Sequence, residues 1–189
     1  QQEALLQRLR KLQVYGPEFG RGASAILANH LPMALRALHR LHASDEQLDR
    51  FEARYRTRLR ERTVDSLEIN RENWIASLGQ HRFHNAYLRF FQHELTRLGR
   101  DELFAQYLPT LFAGVAGGAF HPLIRLGYAL LDNDDDEVAE AMAYWALAYL
   151  PLPEVRFVAS CDRSPWEALL WLRNHSAFSS LAPTGGNIV

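Results

Sequence analysis

The sequence is poor in the residues on which several kinds of chemistry depend. Cys161 is the only cysteine, so the chain has no internal disulfide and no thiolate zinc site. Lys11 is the only lysine, so it is the only candidate for a catalytic lysine. A chain with so little cysteine is typical of a reducing compartment, and we expect a cytoplasmic protein.

Long apolar runs and an excess of positive charge are also missing. No stretch reaches the length of a charge-free membrane span, and residues 1–6 lack the pattern of a signal peptide. The 21 basic and 22 acidic residues nearly cancel, whereas a nucleic-acid binder needs clustered positive charge. Arginines at 54–60 alternate with other residues beside Glu52 and Glu61, which is typical of a solvated helix face. We expect neither nucleic acid nor a membrane as a partner.

Apolar residues recur at helical spacing through most of the chain. Leucines lie three and four residues apart in 3–12. A second helix is predicted over 24–41, with His30 on its inward face and Arg36 and His39 on its outward face. Capping boxes begin two later helices, at Ser44–Gln47 and Ser164–Glu167. Further helices are predicted at 70–78, 80–98, 122–131 and 137–149.

Two of these segments define the expected architecture. Residues 137–149 are apolar almost all round, which is typical of a helix in the middle of a bundle. Residues 108–131 contain Gly114, Gly117 and Gly118, which predict close approach of the backbone to a neighbour or a break in the helix. The fold expected is an all-α multi-helix bundle with a buried apolar central helix, in one domain over 1–189.

Two histidines beside prolines are the strongest functional candidates. His30 precedes Pro32 by two residues, and His121 directly precedes Pro122, each in an apolar context. Proline crowds the preceding turn, so a helix starts or kinks there and leaves room for a metal ion or a substrate. The alternative is that the prolines set helix starts and the histidines are hydrogen-bonded core residues.

Other polar residues give weaker signals. Asn29 either orients a neighbouring ligand or caps a helix, and Tyr128 either hydrogen-bonds a phenolic substrate or anchors the core. His81 and His84 lie three residues apart and His93 follows nine later, a spacing that is only a weak indication of metal binding.

The sequence resembles the questin oxidase-like family. The resemblance runs from about Tyr15 to Leu152 and is carried by three segments: Asn29-His30-Leu31-Pro32-Met33-Ala34-Leu35, Trp74-Ile75-Ala76-Ser77-Leu78-Gly79, and Ala119-Phe120-His121-Pro122-Leu123-Ile124-Arg125-Leu126-Gly127-Tyr128. Named members oxidise and open anthraquinone-type rings in fungal polyketide pathways. Some are described as NADPH-dependent Baeyer-Villiger-type monooxygenases, and one relative as a non-haem iron dioxygenase with a histidine-rich site.

The resemblance implies a function and also metal ligands from outside this chain. It implies an O2-dependent oxidoreductase acting on an aromatic polyketide-like substrate, with Fe(II) on His30 and His121 and with NADPH as a reductant in some members. Family members are longer, and the resemblance implies that further histidines and a modified lysine come from a C-terminal half. Facial-triad iron sites use three protein ligands. We therefore expect the N-terminal part of a longer protein, one half of a heteromeric enzyme, or a chain that has lost the activity.

A second class of function remains open from the residues alone. The chain also fits a non-catalytic helical module that binds an apolar ligand or a partner, with both histidines as structural residues. That alternative predicts no bound metal and a loss of stability when His30 or His121 is replaced.

Overall fold

A computed structural model describes residues 2–20, 27–62, 66–151 and 164–176. Within these ranges the fold is a helical bundle with one small antiparallel sheet, which confirms the predicted fold class. The helices are α1 Gln2–Leu12, α2 Leu31–Arg40, α3 Asp45–Arg56, α4 His84–Leu98, α5 Arg100–Phe112, α6 His121–Leu131, α7 Asp135–Leu147 and α8 Pro165–Asn174. Strand β1 Glu18–Phe19 pairs with β2 Leu27–Ala28. Cys161 lies outside the described residues.

Side-chain caps explain where several helices begin. The Ser44 hydroxyl accepts the backbone N–H of Gln47, and the Gln47 side chain accepts the Ser44 N–H, which completes the predicted capping box of α3. Ser164 and Glu167 do the same for α8. Three acidic residues follow the Asp134 cap in the first turn of α7, where the helix dipole favours negative charge.

The centre of the bundle is α7. Every residue from Glu137 to Leu147 is buried, which confirms the prediction from its apolar composition. It packs mainly against α4 and α6. The core contains the rings of Tyr87 and Phe91 on α4 and the indole of Trp145 on α7. Burial on all sides fixes α7 as the element against which the others are placed.

A second, smaller core joins α1, α2 and α3 through leucines that include Leu9, Leu35 and Leu48. The prediction that Arg36 faces outward was wrong, because its side chain is fully buried. Its guanidinium donates to Asp132 at 2.5 Å and to Asp134 at 2.6 Å, between α6 and α7. An amphipathic pattern does not distinguish a solvated arginine from one that is paired inside the fold.

Two predicted helices differ from the structure. Helix α2 begins at Leu31 and not near residue 24, because residues 27–28 pair with β1; residues 24–26 lie outside the described ranges. Residues 71–79 form successive turns where a helix was predicted. They end at Gly79, which has a φ of 74° and donates its N–H to Ala146. Within the described ranges, no helix combines the length and apolar content needed to cross a bilayer.

Candidate functional site

Asn29 sets the position of His30 by tying the end of β2 to the preceding loop. Its backbone N–H donates to Pro17 O at 2.7 Å, and its side-chain amide donates to Gly16 O at 3.0 Å. The Asn29 Oδ1 accepts the N–H of Leu31, the first residue of α2. Asn29 therefore orders the chain that carries His30 and satisfies a free donor at the start of α2.

His30 is the N-cap of α2 and is exposed. The prediction that it faces the core was wrong, because the helix begins one residue after it. The backbone N–H of His30 donates to the Tyr55 hydroxyl of α3 at 3.1 Å, and this hydroxyl lies 3.5 Å from His30 Nδ1. Nothing in the sequence context of Tyr55 points to this contact with His30.

The glycine-rich segment places His121. A Cβ on Gly117 would lie 1.8 Å from Ala148 O at the end of α7, so this residue must be glycine for the backbones to pack. Gly118, Ala119 and Phe120 then have φ values of 56°, 50° and 65°. Three consecutive left-handed residues break the chain before α6, so close approach and a break both occur, as predicted. Alanine and phenylalanine rarely adopt this conformation, and such strain is concentrated at functional sites.

The two histidines meet although they are 91 residues apart in sequence. The Nε2 atoms of His30 and His121 are 2.7 Å apart, and the ring planes are nearly perpendicular at 88°. His121 Nδ1 lies 2.6 Å from Gly118 O, so it carries the proton it donates to that carbonyl. This hydrogen bond holds the His121 ring with its Nε2 directed at His30.

The contact fits two arrangements. A neutral pair forms an N–H···N hydrogen bond when His30 carries its proton on Nε2, whereas a metal ion held by both Nε2 atoms requires His30 to carry that proton on Nδ1. Partial desolvation of the imidazole at this contact and the neighbouring His121 lower the pKa of His30, so the charged form of His30 is disfavoured. Two metal–nitrogen bonds at a right angle place their nitrogens about 3 Å apart, close to the spacing seen here. The donor set fits two ligands of a metal such as Fe(II).

The remaining predicted site residues are not brought to the pair. Tyr128 is half-buried and lies two turns along α6, about 10 Å from His121 along the helix axis. Among the described residues, no group of three or more histidine, cysteine, aspartate or glutamate side chains is placed to hold a metal ion. A third protein ligand is therefore not supplied by this part of the chain.

The other candidate histidines each contact a carboxylate instead of converging. His81 Nδ1 lies 2.9 Å from Glu18, which raises the pKa of the imidazole. His84 is buried 3.8 Å from Glu140, and burial holds its pKa well below the ordinary value. His93 is exposed at the surface beside Glu94. Their predicted spacing does not produce a common site.

Comparison with known proteins identifies a family. Residues 27–179 match the family described as questin oxidase-like. This match includes the start of α2 with His30, all of α6 with His121, and the central helix α7. No curated protein matches the sequence.

Proposed function

The chain belongs to the questin oxidase-like family, and on that premise we propose that it forms part of an O2-dependent oxidoreductase with a histidine-ligated non-haem iron. The family name points to oxidative chemistry. The observation that carries the finer proposal is the 2.7 Å convergence of the His30 and His121 Nε2 atoms. The substrate proposed is aromatic and polyketide- or anthraquinone-like.

His30 and His121 would hold the iron, which supplies a site where O2 is bound and activated beside the substrate. The chain's own contribution is orientation. Gly118 O fixes the protonated nitrogen of His121, so the Nε2 lone pair of His121 is available to a metal. Partners of this kind tune both the direction and the basicity of an imidazole ligand.

The surroundings of the pair suit an apolar aromatic substrate. Phe120 precedes His121 and is 48% exposed, and Ile124 lies one turn later on α6 with 47% exposed. Leu27, three residues before His30, is also exposed. These side chains offer apolar area beside the histidines, and Tyr128 two turns along α6 is proposed as a hydrogen-bond partner for a phenolic group at the far end of a long ring system.

The metal ligands that the described residues do not supply indicate what a partner must provide. We propose that a C-terminal half or a second chain supplies the remaining donors, because the described residues provide only two. NADPH belongs to the proposal only for monooxygenation, which needs two external electrons. Incorporation of both atoms of O2 needs none, so a requirement for NADPH distinguishes the two reactions.

Metal binding tests the iron site directly. Titration with Fe(II) under anaerobic conditions should give one site on the wild-type chain. His30→Ala and His121→Ala should each weaken binding at least tenfold, since each removes one of two donors. His93→Ala removes an exposed histidine distant from the pair and serves as the control. Undiminished iron in both site variants would contradict the proposal.

One observation favours a non-catalytic alternative. The His30–His121 contact joins the N-cap residue of α2 to the first residue of α6, so a hydrogen bond there stabilises the bundle by about 1 kcal/mol without any metal. On this alternative the wild-type chain binds no iron, and replacing either histidine lowers the free energy of unfolding. The iron titration of the wild-type chain separates the two functions, and chemical denaturation of the same three variants measures how much the contact contributes to stability.

A further inference from the structure

Phe120 is a residue whose ring the described part of the chain does not use. It is 48% exposed. Within the described ranges, every other phenylalanine belongs to or packs against a hydrophobic core, or contacts another aromatic ring. Phe120 has neither kind of contact among these residues. Its ring therefore contributes little to the packing of this part of the chain.

The backbone conformation of Phe120 is also unfavourable for a phenylalanine. Phe120 is the N-cap of α6, with a φ of 65° and a ψ of 3° in the left-handed region. Glycine adopts this region readily, whereas a residue with a Cβ is disfavoured there. Strained residues of this kind persist at sites that hold a ligand. Packing among the described residues does not account for this phenylalanine, and contact with a bound molecule explains it.

The position of Phe120 links it to the histidine pair. His121 Nδ1 donates to Gly118 O at 2.6 Å, and this hydrogen bond closes a loop over residues 118–121 that contains Phe120. The Cα atoms of Phe120 and His121 are about 3.8 Å apart, as in any two successive residues. The loop therefore fixes the backbone of Phe120 relative to the imidazole whose Nε2 meets His30. A molecule resting on Phe120 lies beside the two histidines.

We propose that Phe120 stacks against a flat aromatic ring of the substrate and is thus a specificity-determining residue at the histidine pair. The substrate class rests on the proposed function, whereas the stacking does not require iron. Two aromatic rings gain stabilisation beyond the area that they bury. Ile124, one turn later on α6, is also exposed and extends the apolar surface on the same side of the helix. Phe120 thus favours a flat aromatic substrate over a saturated one.

An apolar side chain of a partner polypeptide is the other candidate occupant of this position. Such a contact depends mainly on the apolar area buried, so leucine replaces phenylalanine with little loss. A stacked ring depends on the π face of the phenyl group, so tyrosine replaces it and leucine does not. Comparison of Phe120→Leu with Phe120→Tyr therefore separates the two occupants.

Titration of the chain with anthraquinone-2-sulfonate, without added metal, tests the stacking. The wild type should bind this flat, water-soluble probe and shift the NMR signals of probe protons that lie over the phenyl ring upfield. Phe120→Leu should weaken binding by about fivefold or more and remove the upfield shifts. Phe120→Tyr should keep the shifts and bind within about twofold of the wild type.

Phe112→Leu is the matched control, because Phe112 is 49% exposed and already contacts the Trp145 ring. It should bind the probe as the wild type does. Phe120→Gly should lose probe binding and leave the melting temperature unchanged or higher, because glycine accepts the left-handed backbone. A clearly lower melting temperature in Phe120→Gly would show that the ring is kept for stability, and would overturn the proposal.

The remaining outcomes are equally decisive. A wild-type chain that does not bind the probe would overturn the proposal. So would unchanged binding by Phe120→Leu, or equal losses in Phe120→Leu and Phe120→Tyr. The iron titration is a separate measurement: a chain that binds the probe through Phe120 but binds no iron keeps the stacking and contradicts only the metal site.

Discussion

At the scale of single residues, the candidate site depends on two histidines whose importance was predictable and whose environment was not. The proline beside each histidine indicated a helix start, and both lie at one. His30 was expected to face the core, yet it caps α2 from outside. Helical periodicity fails at a cap, because the cap residue does not yet follow the helix. Gly118 orients the His121 ring through its backbone carbonyl, and a backbone hydrogen bond of this kind could not be predicted from the residue type.

Burial of His84 predicts a pH dependence of stability. Its folded pKa lies well below the unfolded value of about 6.5, so below that pH the unfolded state binds a proton that the folded state does not. The free energy of unfolding should therefore fall between pH 7 and pH 5. His84→Gln should make this fall shallower in urea denaturation series.

His81 provides the comparison with the opposite sign. Its pKa is raised by Glu18, so its contribution to stability is fully present below about pH 6.5 and is lost as the pH rises through the folded pKa. His81→Gln should therefore make the fall toward pH 5 steeper than in the wild type. If the free energy of unfolding changes equally with pH in the two variants, neither histidine is responsible for the pH dependence of stability.

At the scale of elements, the sequence predicts best the helices that carry a clear signal. Capping boxes located the starts of α3 and α8, and unbroken apolar character identified α7 as central. Residues 27–28 were misassigned because a two-residue strand is too short to show a period. The glycines of 114–118 signalled an irregularity, but only the structure shows that Gly117 packs on α7 and Gly118 opens a left-handed turn.

The two glycines flanking the candidate site should respond oppositely to alanine. Gly117→Ala should destabilise the fold by about 2 kcal/mol, because its Cβ overlaps Ala148 O. Gly127→Ala should stabilise the fold by about 0.5–1 kcal/mol, because the methyl group meets open space in a helix. Thermal and urea unfolding would measure both. A neutral Gly117→Ala would show that α7 does not hold the turn before His121.

At the scale of the whole molecule, two cores share one buried ion-pair network. Arg36 of α2 reaches Asp132 and Asp134, and Arg40 also contacts Asp132. These contacts hold the α1–α3 core against the α4–α7 core, and His30 and His121 meet at the same junction. Composition predicted one domain but gave no indication of where two cores would join.

Removing the buried guanidinium of Arg36 should therefore lower the stability of the fold strongly. Arg36→Met leaves Asp134 without its arginine and Asp132 with Arg40 alone, and it should lower the free energy of unfolding by about 3 kcal/mol. Arg10→Met is the control, because Arg10 is half exposed and also pairs with an aspartate near the start of α7. Its effect should be under about 1 kcal/mol. Similar losses in the two variants would contradict this account of the junction.

The most direct test of the proposed iron site is an anomalous-scattering experiment at the iron edge on crystals of the chain loaded with Fe(II). The account predicts one peak bonded to the Nε2 atoms of both His30 and His121, with the His121 ring still held by Gly118. A peak at other residues, or no peak while the two nitrogens remain 2.7 Å apart, would contradict it.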